Sequence, residues 1–360
     1  MYYLITYWNE KSNSPSTIEV EQEEITQKDL DRITPDMLFS IYDLYLEAVR
    51  ILEDGNIEER YHTKYIPKKS GGFRRIDIPD EHLKAYMRKV VRVFTKKTKL
   101  IFPKQAYAYI KGRNTKQMAE AHLGNFMVFK TDIKDFFHNC TLDFVLSAMN
   151  IVYPFCLMDI TILEEIIKAC MIQINENYVL PQGAPSSPIL SNIAMIPVDY
   201  RIQEILSNCT YTRYADDIFI SCPIFKKQQN AVWVEMSRTP GIIEAVFQRS
   251  NSRLHLNDKK TRILDISKTN GIWITGLMLN SNQNVTIGYR SKKKLKATIF
   301  NLLMDAKNGE KRSKAEVDRL HGIVGYWRFI EPVYVDRIIQ KLEQKTGVNY
   351  SEALANICSD

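Results

Sequence analysis

Three aspartates stand out as residues that could do chemistry. Asp216 and Asp217 are consecutive in YTRYADDIFIS, and Asp132 ends the apolar run FMVFKTD. Successive side chains on a strand point to opposite faces, so two adjacent acids can serve one site only from a turn. A lone Asp pair more often marks a plain turn, because its carboxylates bond the local backbone. Here apolar arms flank the pair and a second apolar run delivers a third acid. That combination favours a prearranged cation site. Such oxygens suit hard cations, and two of them about 3.5 to 4 Å apart can stabilise the attacking and leaving oxygens of a phosphoryl transfer. Asp135, in the same run, reads instead as a capping or salt-bridging acid.

Strands must carry these acids and helices must back them. FMVFKTDIKDFF has the apolar, β-rich character of a buried strand, and YTRYADDIFIS reads as two short strands around a tight turn. VLPQGAPSSPILSNIAM is a loop feeding a helix, and a helical stretch runs through Leu163 to Met171. Pro35 to Leu52 predicts a helix with a stripe through Leu38, Ile41, Leu44, Leu46, Ala48 and Ile51, and Glu81 to Phe94 predicts another. Between them YIPKKSGGFRRIDIP predicts a hairpin turning at Ser70, Gly71 and Gly72, with bases on its tip and second arm. Residues 9–36, polar and rich in Ser and Glu, read as an irregular extension. From Lys292 onward the chain is mostly helical, with Ile299, Leu302 and Leu303 on one side, and no internal repeat is visible.

A formal net charge of +7 and a pI near 8.9 suit a polyanionic partner. The bases are local, clustering at Lys64 to Arg75, Arg88 to Lys99, Lys111 to Lys116 and Lys292 to Lys296, while acids crowd the start. The six cysteines form no CxxC pair and meet no paired His spacing, so zinc and redox motifs are disfavoured and reduced thiols are expected. The N-terminus lacks the basic flank and apolar length of a signal peptide, and no run approaches roughly 18 apolar residues. A cytoplasmic protein without a membrane contact is expected.

TDIKDFF, LPQGAPSSPILSN, YTRYADD and WITGLMLN occur in the order of the palm motifs of reverse transcriptases, and the set resembles the retron type most. The resemblance runs from about Lys64 to Gly347. It implies an α+β right-hand polymerase, with residues 1–60 as an N-terminal extension and helix, 61–125 as fingers, 126–280 as an antiparallel-sheet palm with a helical insertion at about 141–175, and 281–360 as a helical thumb. Asp132, Asp216 and Asp217 carry over as ligands of two Mg2+ ions, for which Mn2+ could substitute. Arg74 matches the finger arginine that grips the triphosphate, with Arg75 and Lys68 or Lys69 as helpers; bidentate guanidinium donors fit phosphate oxygens. Phe137 matches the aromatic that closes against the sugar 2′ position, although a core Phe is an equal reading of the residue alone. Gln182 matches the position that touches the incoming nucleotide, ahead of the close-approaching backbone of Gly183, Ala184 and Pro185.

Lys260 in NDKKTRI resembles the lysine that protonates or neutralises departing pyrophosphate, against the plainer reading of a surface lysine. Tyr214, Thr275 and Gly276 match the neighbourhood of the primer end, and Lys292, Lys293, Lys294 and Lys296 could engage RNA phosphates. Retron enzymes commonly carry Asn-Ala-x-x-His and Val-Thr-Gly signatures; this chain has Met118, Ala119 and His122 for the first and Ile274, Thr275 and Gly276 for the second. The family implies a structured noncoding RNA as template and primer, deoxynucleoside triphosphates as substrates, a 2′-branched RNA–DNA product, and a separately encoded effector in antiphage defence. Other readings are an intron-related or defence-associated bacterial reverse transcriptase with a different primer, a noncatalytic RNA-binding scaffold, and an RNA-dependent RNA polymerase sharing the palm.

Overall fold

The computed structural model describes residues 2–21, 24–68, 71–223, 229–266 and 268–358. The chain opens with an antiparallel hairpin, β1 (Tyr2–Asn9) and β2 (Ser14–Glu21), followed by the short α1 (Gln27–Leu30) and the long α2 (Pro35–Glu53). A second hairpin, β3 (Tyr61–Pro67) and β4 (Phe73–Pro79), leads into α3 (Glu81–Arg92) and α4 (Thr115–Glu120). Next come β5 (Met127–Asp132), α5 (Phe136–Asn139), α6 (Leu142–Met149), α7 (Ile160–Lys168) and the small hairpin β6 (Ile172–Ile174) and β7 (Asn177–Val179). Helices α8 (Ser187–Ala194) and α9 (Ile196–Ile205) precede β8 (Thr210–Tyr214) and β9 (Asp217–Cys222), then α10 (Gln229–Arg249) and β10 (Arg262–Asp265). The C-terminal elements are β11 (Gly271–Ile274), β12 (Leu277–Asn280), β13 (Val285–Thr286), α11 (Gly288–Lys307), α12 (Lys314–Ile330), α13 (Pro332–Thr346) and α14 (Tyr350–Asn356).

Residues 1–113 with 125–264 form one compact unit, and residues 114–124 with 265–360 a second. The first is built on a four-stranded sheet of order β10-β5-β9-β8, in which β5 and β8 both run antiparallel to β9. Val128, Phe129, Ile218 and Ile220 are buried in that sheet, and α9 and α10 pack against its strands. Both sides being covered explains why β5 and β9 read as unbroken apolar runs. Helix α2 starts on Pro35 with the Thr34 hydroxyl accepting from the Met37 N–H, and it packs on α3 and α7. Its buried stripe is Met37, Ile41, Leu44, Ala48 and Ile51; Leu38 and Leu46, expected inside, are exposed.

Two expectations are corrected. Residues 14–21 are not irregular: β2 pairs along its whole length with β1, Thr6 and Thr17 hydroxyls meet at 2.9 Å, and the hairpin is tied down at Leu4, whose N–H donates to the Ile151 carbonyl at 2.6 Å and whose carbonyl accepts from the Tyr153 N–H at 3.0 Å. Strand β2 is only half-buried and lacks clean alternation, so its sequence carries a weak period-two signal. The thiols are not all reduced, because Cys209 and Cys222 form a disulfide. The β8–β9 register sets Thr210 opposite Ser221, and hence Cys209 opposite Cys222, a pairing that no sequence spacing announces.

In the second unit β11, β12 and β13 form an antiparallel sheet against which α4 packs, while α11 packs on α13 and α14, and α12 on α13. Leu295, Ile299, Leu302 and Leu303 are the buried side of α11. This unit takes in 114–124 and 265–280 as well as the C-terminal helices.

Candidate active site

The acids come together through strand register. Asp132 is the last residue of β5 and Asp217 the first of β9, and the two are direct cross-strand partners. Ala215 and Asp216 form the turn between β8 and β9; Tyr214 pairs with Asp217, and Ala215 holds φ +54°, the left-handed region that lets a two-residue turn match strand twist. The Ile133 N–H donates to the Asp216 carbonyl at 2.9 Å, pinning the turn to the end of β5. Asp132 is buried, while Asp216 and Asp217 are partly so.

Burial, then the neighbouring charges of Asp132 and Asp217, push the Asp216 carboxyl up to about 6. Asp217 is also raised, mainly by burial, with Lys130 opposing and Asp132 adding to the shift. Like charges held together out of water resist ionisation and are relieved by a cation. The donor set thus fits hard divalent ions, with Asp132, Asp216 and Asp217 as the oxygens that would hold them. Among the described residues no three acid, His or Cys side chains close into an ion cage by themselves. Asp132 instead accepts from Lys260 Nζ at 2.7 Å on Oδ1 and from Asn257 Nδ2 at 3.2 Å on Oδ2. Lys260, half-exposed, is therefore a partner of Asp132, and the Asn257 N–H also donates to the Asp132 carbonyl at 2.8 Å.

A buried network beneath the turn went unread in the sequence. The Arg213 guanidinium, with no exposure, donates from Nε and Nη2 to the two oxygens of Asp199 at 2.8 Å each, and from Nη1 to Asn192 Oδ1 and the Ala215 carbonyl at 3.1 Å each. The Tyr211 hydroxyl donates to Asp199 Oδ1 at 2.7 Å. Burial opposes the guanidinium charge, yet the Asp199 carboxylate outweighs it and holds Arg213 above its ordinary value. Asn192 donates onward to the Ala108 carbonyl at 2.9 Å. The next residue, Tyr109, has φ +61° and is half-exposed, and burial, then the Asp216 carboxylate, raises its phenol, with Arg74 opposing. Strained backbone at a half-exposed aromatic makes Tyr109 a candidate that motif reading missed.

Strand β4 separates the two finger arginines, since neighbouring residues face opposite ways. Arg75 is bound to buried Asp77 at 2.7 Å, which removes it as a free helper of Arg74. Lys69 and Ser70 lie outside the described residues. Phe137 is half-buried, packed on the core and on Phe136 with ring centroids 5.4 Å apart. Asp135 opens α5 at φ +45° without a side-chain cap bond, so the capping role expected of it is not the one it plays. Gln182 accepts at its carbonyl from the Asp77 N–H at 2.8 Å.

In the second unit Thr275 and Gly276, at φ +44° and +86°, make the two-residue turn between β11 and β12. The Thr275 hydroxyl lies 4.0 Å from the thioether of buried Met118, so the two signature segments meet, with Met118 standing where Asn is usual. His122 is buried and its imidazole is pushed down to about 4 by burial, keeping it neutral. On α11, Lys293, Lys294 and Lys296 are exposed, whereas Lys292 is bound to Glu331 at 2.7 Å and lies over the Tyr334 ring. No described helix is long and apolar enough to cross a membrane.

A family model described as reverse transcriptase (RNA-dependent DNA polymerase) matches residues 66–302. The chain accordingly belongs to the reverse transcriptases: it is an RNA-directed DNA polymerase, a nucleotidyltransferase of right-hand α+β fold, in a family whose chemistry depends on divalent metal. The retron Ec83 reverse transcriptase of Escherichia coli is 27% identical over 303 residues, 79% of this chain and 88% of that one. The retron Ec86 reverse transcriptase of the same organism is 28% identical over 81% of this chain and 83% of its own, and the retron Mx65 enzyme of Myxococcus xanthus is 27% identical over 78% and 64%. These relatives put it with the retron type. Among solved structures, apo telomerase from Candida tropicalis, truncated from its C-terminal domain, aligns at TM-score 0.44 and 13% identity over 64% of this chain and 55% of that one.

Proposed function

We propose that the chain copies a structured noncoding RNA, serving as both template and primer, into DNA that stays joined to it through a 2′ branch. It does so in the bacterial cytoplasm, as part of an antiphage system with a separately encoded effector. The observation that carries the chemistry is the cross-strand pairing of Asp132 with Asp217, with Asp216 at the adjoining turn. Two Mg2+ ions, held by these carboxylates and replaceable by Mn2+, supply charge stabilisation to the attacking and leaving oxygens when bound.

The chain's own side chains do the rest. Arg74 takes the triphosphate of the incoming deoxynucleotide, Gln182 lines its site and Phe137 excludes a 2′-hydroxyl by bulk. Lys260, beside Asp132, supplies positive charge or a proton to the departing pyrophosphate. Tyr214 contacts the primer end, the Thr275–Gly276 turn binds nucleic acid, and Lys293, Lys294 and Lys296 engage RNA phosphates. In hand terms, residues 61–125 are the fingers, 126–280 the palm and 281–360 the thumb. The retron reading draws support from relatives of 27–28% identity that share most of the chain. Sequencing the nucleic acid that copurifies with the protein, before and after debranching, tests it. A branched RNA–DNA molecule is expected, and unbranched host RNA alone would refute the retron assignment.

A further inference from the structure

Asp77 has no exposure, and its partners come from three separate segments. Its Oδ1 accepts from Arg75 Nε at 2.7 Å and from the hydroxyl of Thr63, its cross-strand neighbour, at 2.9 Å. Its Oδ2 lies 3.3 Å from His138 Nε2, one residue beyond Phe137, and its N–H donates to the Gln182 carbonyl at 2.8 Å. The opposite face of β4 carries Arg74 and Ile76. There the Gln182–Gly183 loop lies so close that a Cβ on Gly183 would sit 2.9 Å from Ile76 Cγ2 and 3.0 Å from the Asp77 carbonyl. A carboxylate taken fully out of water is tolerated only when charge and several donors meet it, and removing one partner leaves the others unsatisfied. The finger hairpin, the turn after Phe137 and the Gln182 loop are thereby locked to one another through a single side chain and its backbone.

We propose that Asp77 is the positioning residue of the nucleotide site: it draws Arg75 aside so that Arg74 alone meets the triphosphate, and it fixes Phe137 and Gln182 at a set reach from that arginine. This rests on the polymerase reading above. It follows that the two arginines are not equivalent. Losing Arg75 should resemble losing the Asp77 charge, and losing both should cost little more than either, whereas losing Arg74 is a separate defect.

The test is dTTP-dependent primer extension by the full chain on poly(rA)·oligo(dT), for Asp77→Asn, Arg75→Ala, Arg74→Ala and the paired variants. Asp77→Asn should raise KM for dTTP about tenfold with kcat changed less than about twofold, and should admit more ribonucleotide as Phe137 loosens. The Asp77→Asn and Arg75→Ala changes should be non-additive, and either should multiply with Arg74→Ala. An unchanged KM, a loss confined to kcat, or multiplying Asp77 and Arg75 effects would overturn the proposal while leaving the polymerase reading intact. A wild-type chain that incorporates deoxynucleotides neither on this template-primer nor on the RNA that copurifies with it would overturn both. Should Asp77→Asn not fold, His138→Ala removes one partner at a part-exposed side chain; a KM raised a few-fold supports the role, and a wild-type KM refutes it.

Discussion

At the tip of the β8–β9 turn, the Asp216 carboxyl is raised to about 6 by burial and by its acidic neighbours. Asp216→Ala should reduce primer extension to background while RNA binding survives, which would separate catalysis from a scaffold role; residual synthesis at wild-type rate would remove Asp216 from the chemistry. Phe137 rests on Phe136 and the core with one side still accessible. Phe137→Ala should raise the ratio of ribonucleotide to deoxyribonucleotide incorporation, read by separate nucleotide titrations, because a methyl group cannot fill the space of a ring. The three acids were legible because apolar runs frame them. Asp77 and Arg213 were not, since their meaning lies in partners remote in sequence, and a charged residue in a strand normally reads as solvent-facing.

The turn itself depends on the elements below it. Arg213 on β8 joins Asp199 on α9 and Asn192 on α8 to the Ala215 carbonyl, one residue before Asp216. Arg213→Lys cannot reproduce the planar fork and leaves Asp199 underbonded, so a loss of about 3 kcal/mol or more in urea unfolding is expected. A loss under about 1 kcal/mol would mean that the network is not needed to hold the fold. Helices α2 and α3 and strands β5, β8 and β9 were readable, because each has one strongly apolar side or an unbroken apolar run. The N-terminal hairpin was not, because its second strand keeps half its surface in water. The Cys209–Cys222 bond was hidden for a related reason: only the strand register brings the two sulfurs together.

Across the whole molecule the net charge of +7 matters less than which cations are free to meet a phosphate. Lys293, Lys294 and Lys296 stand exposed on α11, while Lys292 is committed to Glu331. Replacing the three exposed lysines by Ala should lower the salt slope of RNA binding by about 2 to 3, against less than about 1 for Lys292→Ala, measured by filter binding across a salt series. Equal slopes for the two variants would place the RNA elsewhere.

The cross-strand pairing of Asp132 with Asp217 also makes the enzyme a parity-sensitive device. One residue inserted between Phe129 and Asp132 would flip either the apolar anchor or the acid to the wrong side, even though every functional letter remained. An insertion scan read by primer extension should therefore find silence there and tolerance beside Gly55, an exposed turn with open space around it. Odd and even insertions in β5 behaving alike would mean that the two acids do not depend on a shared ladder.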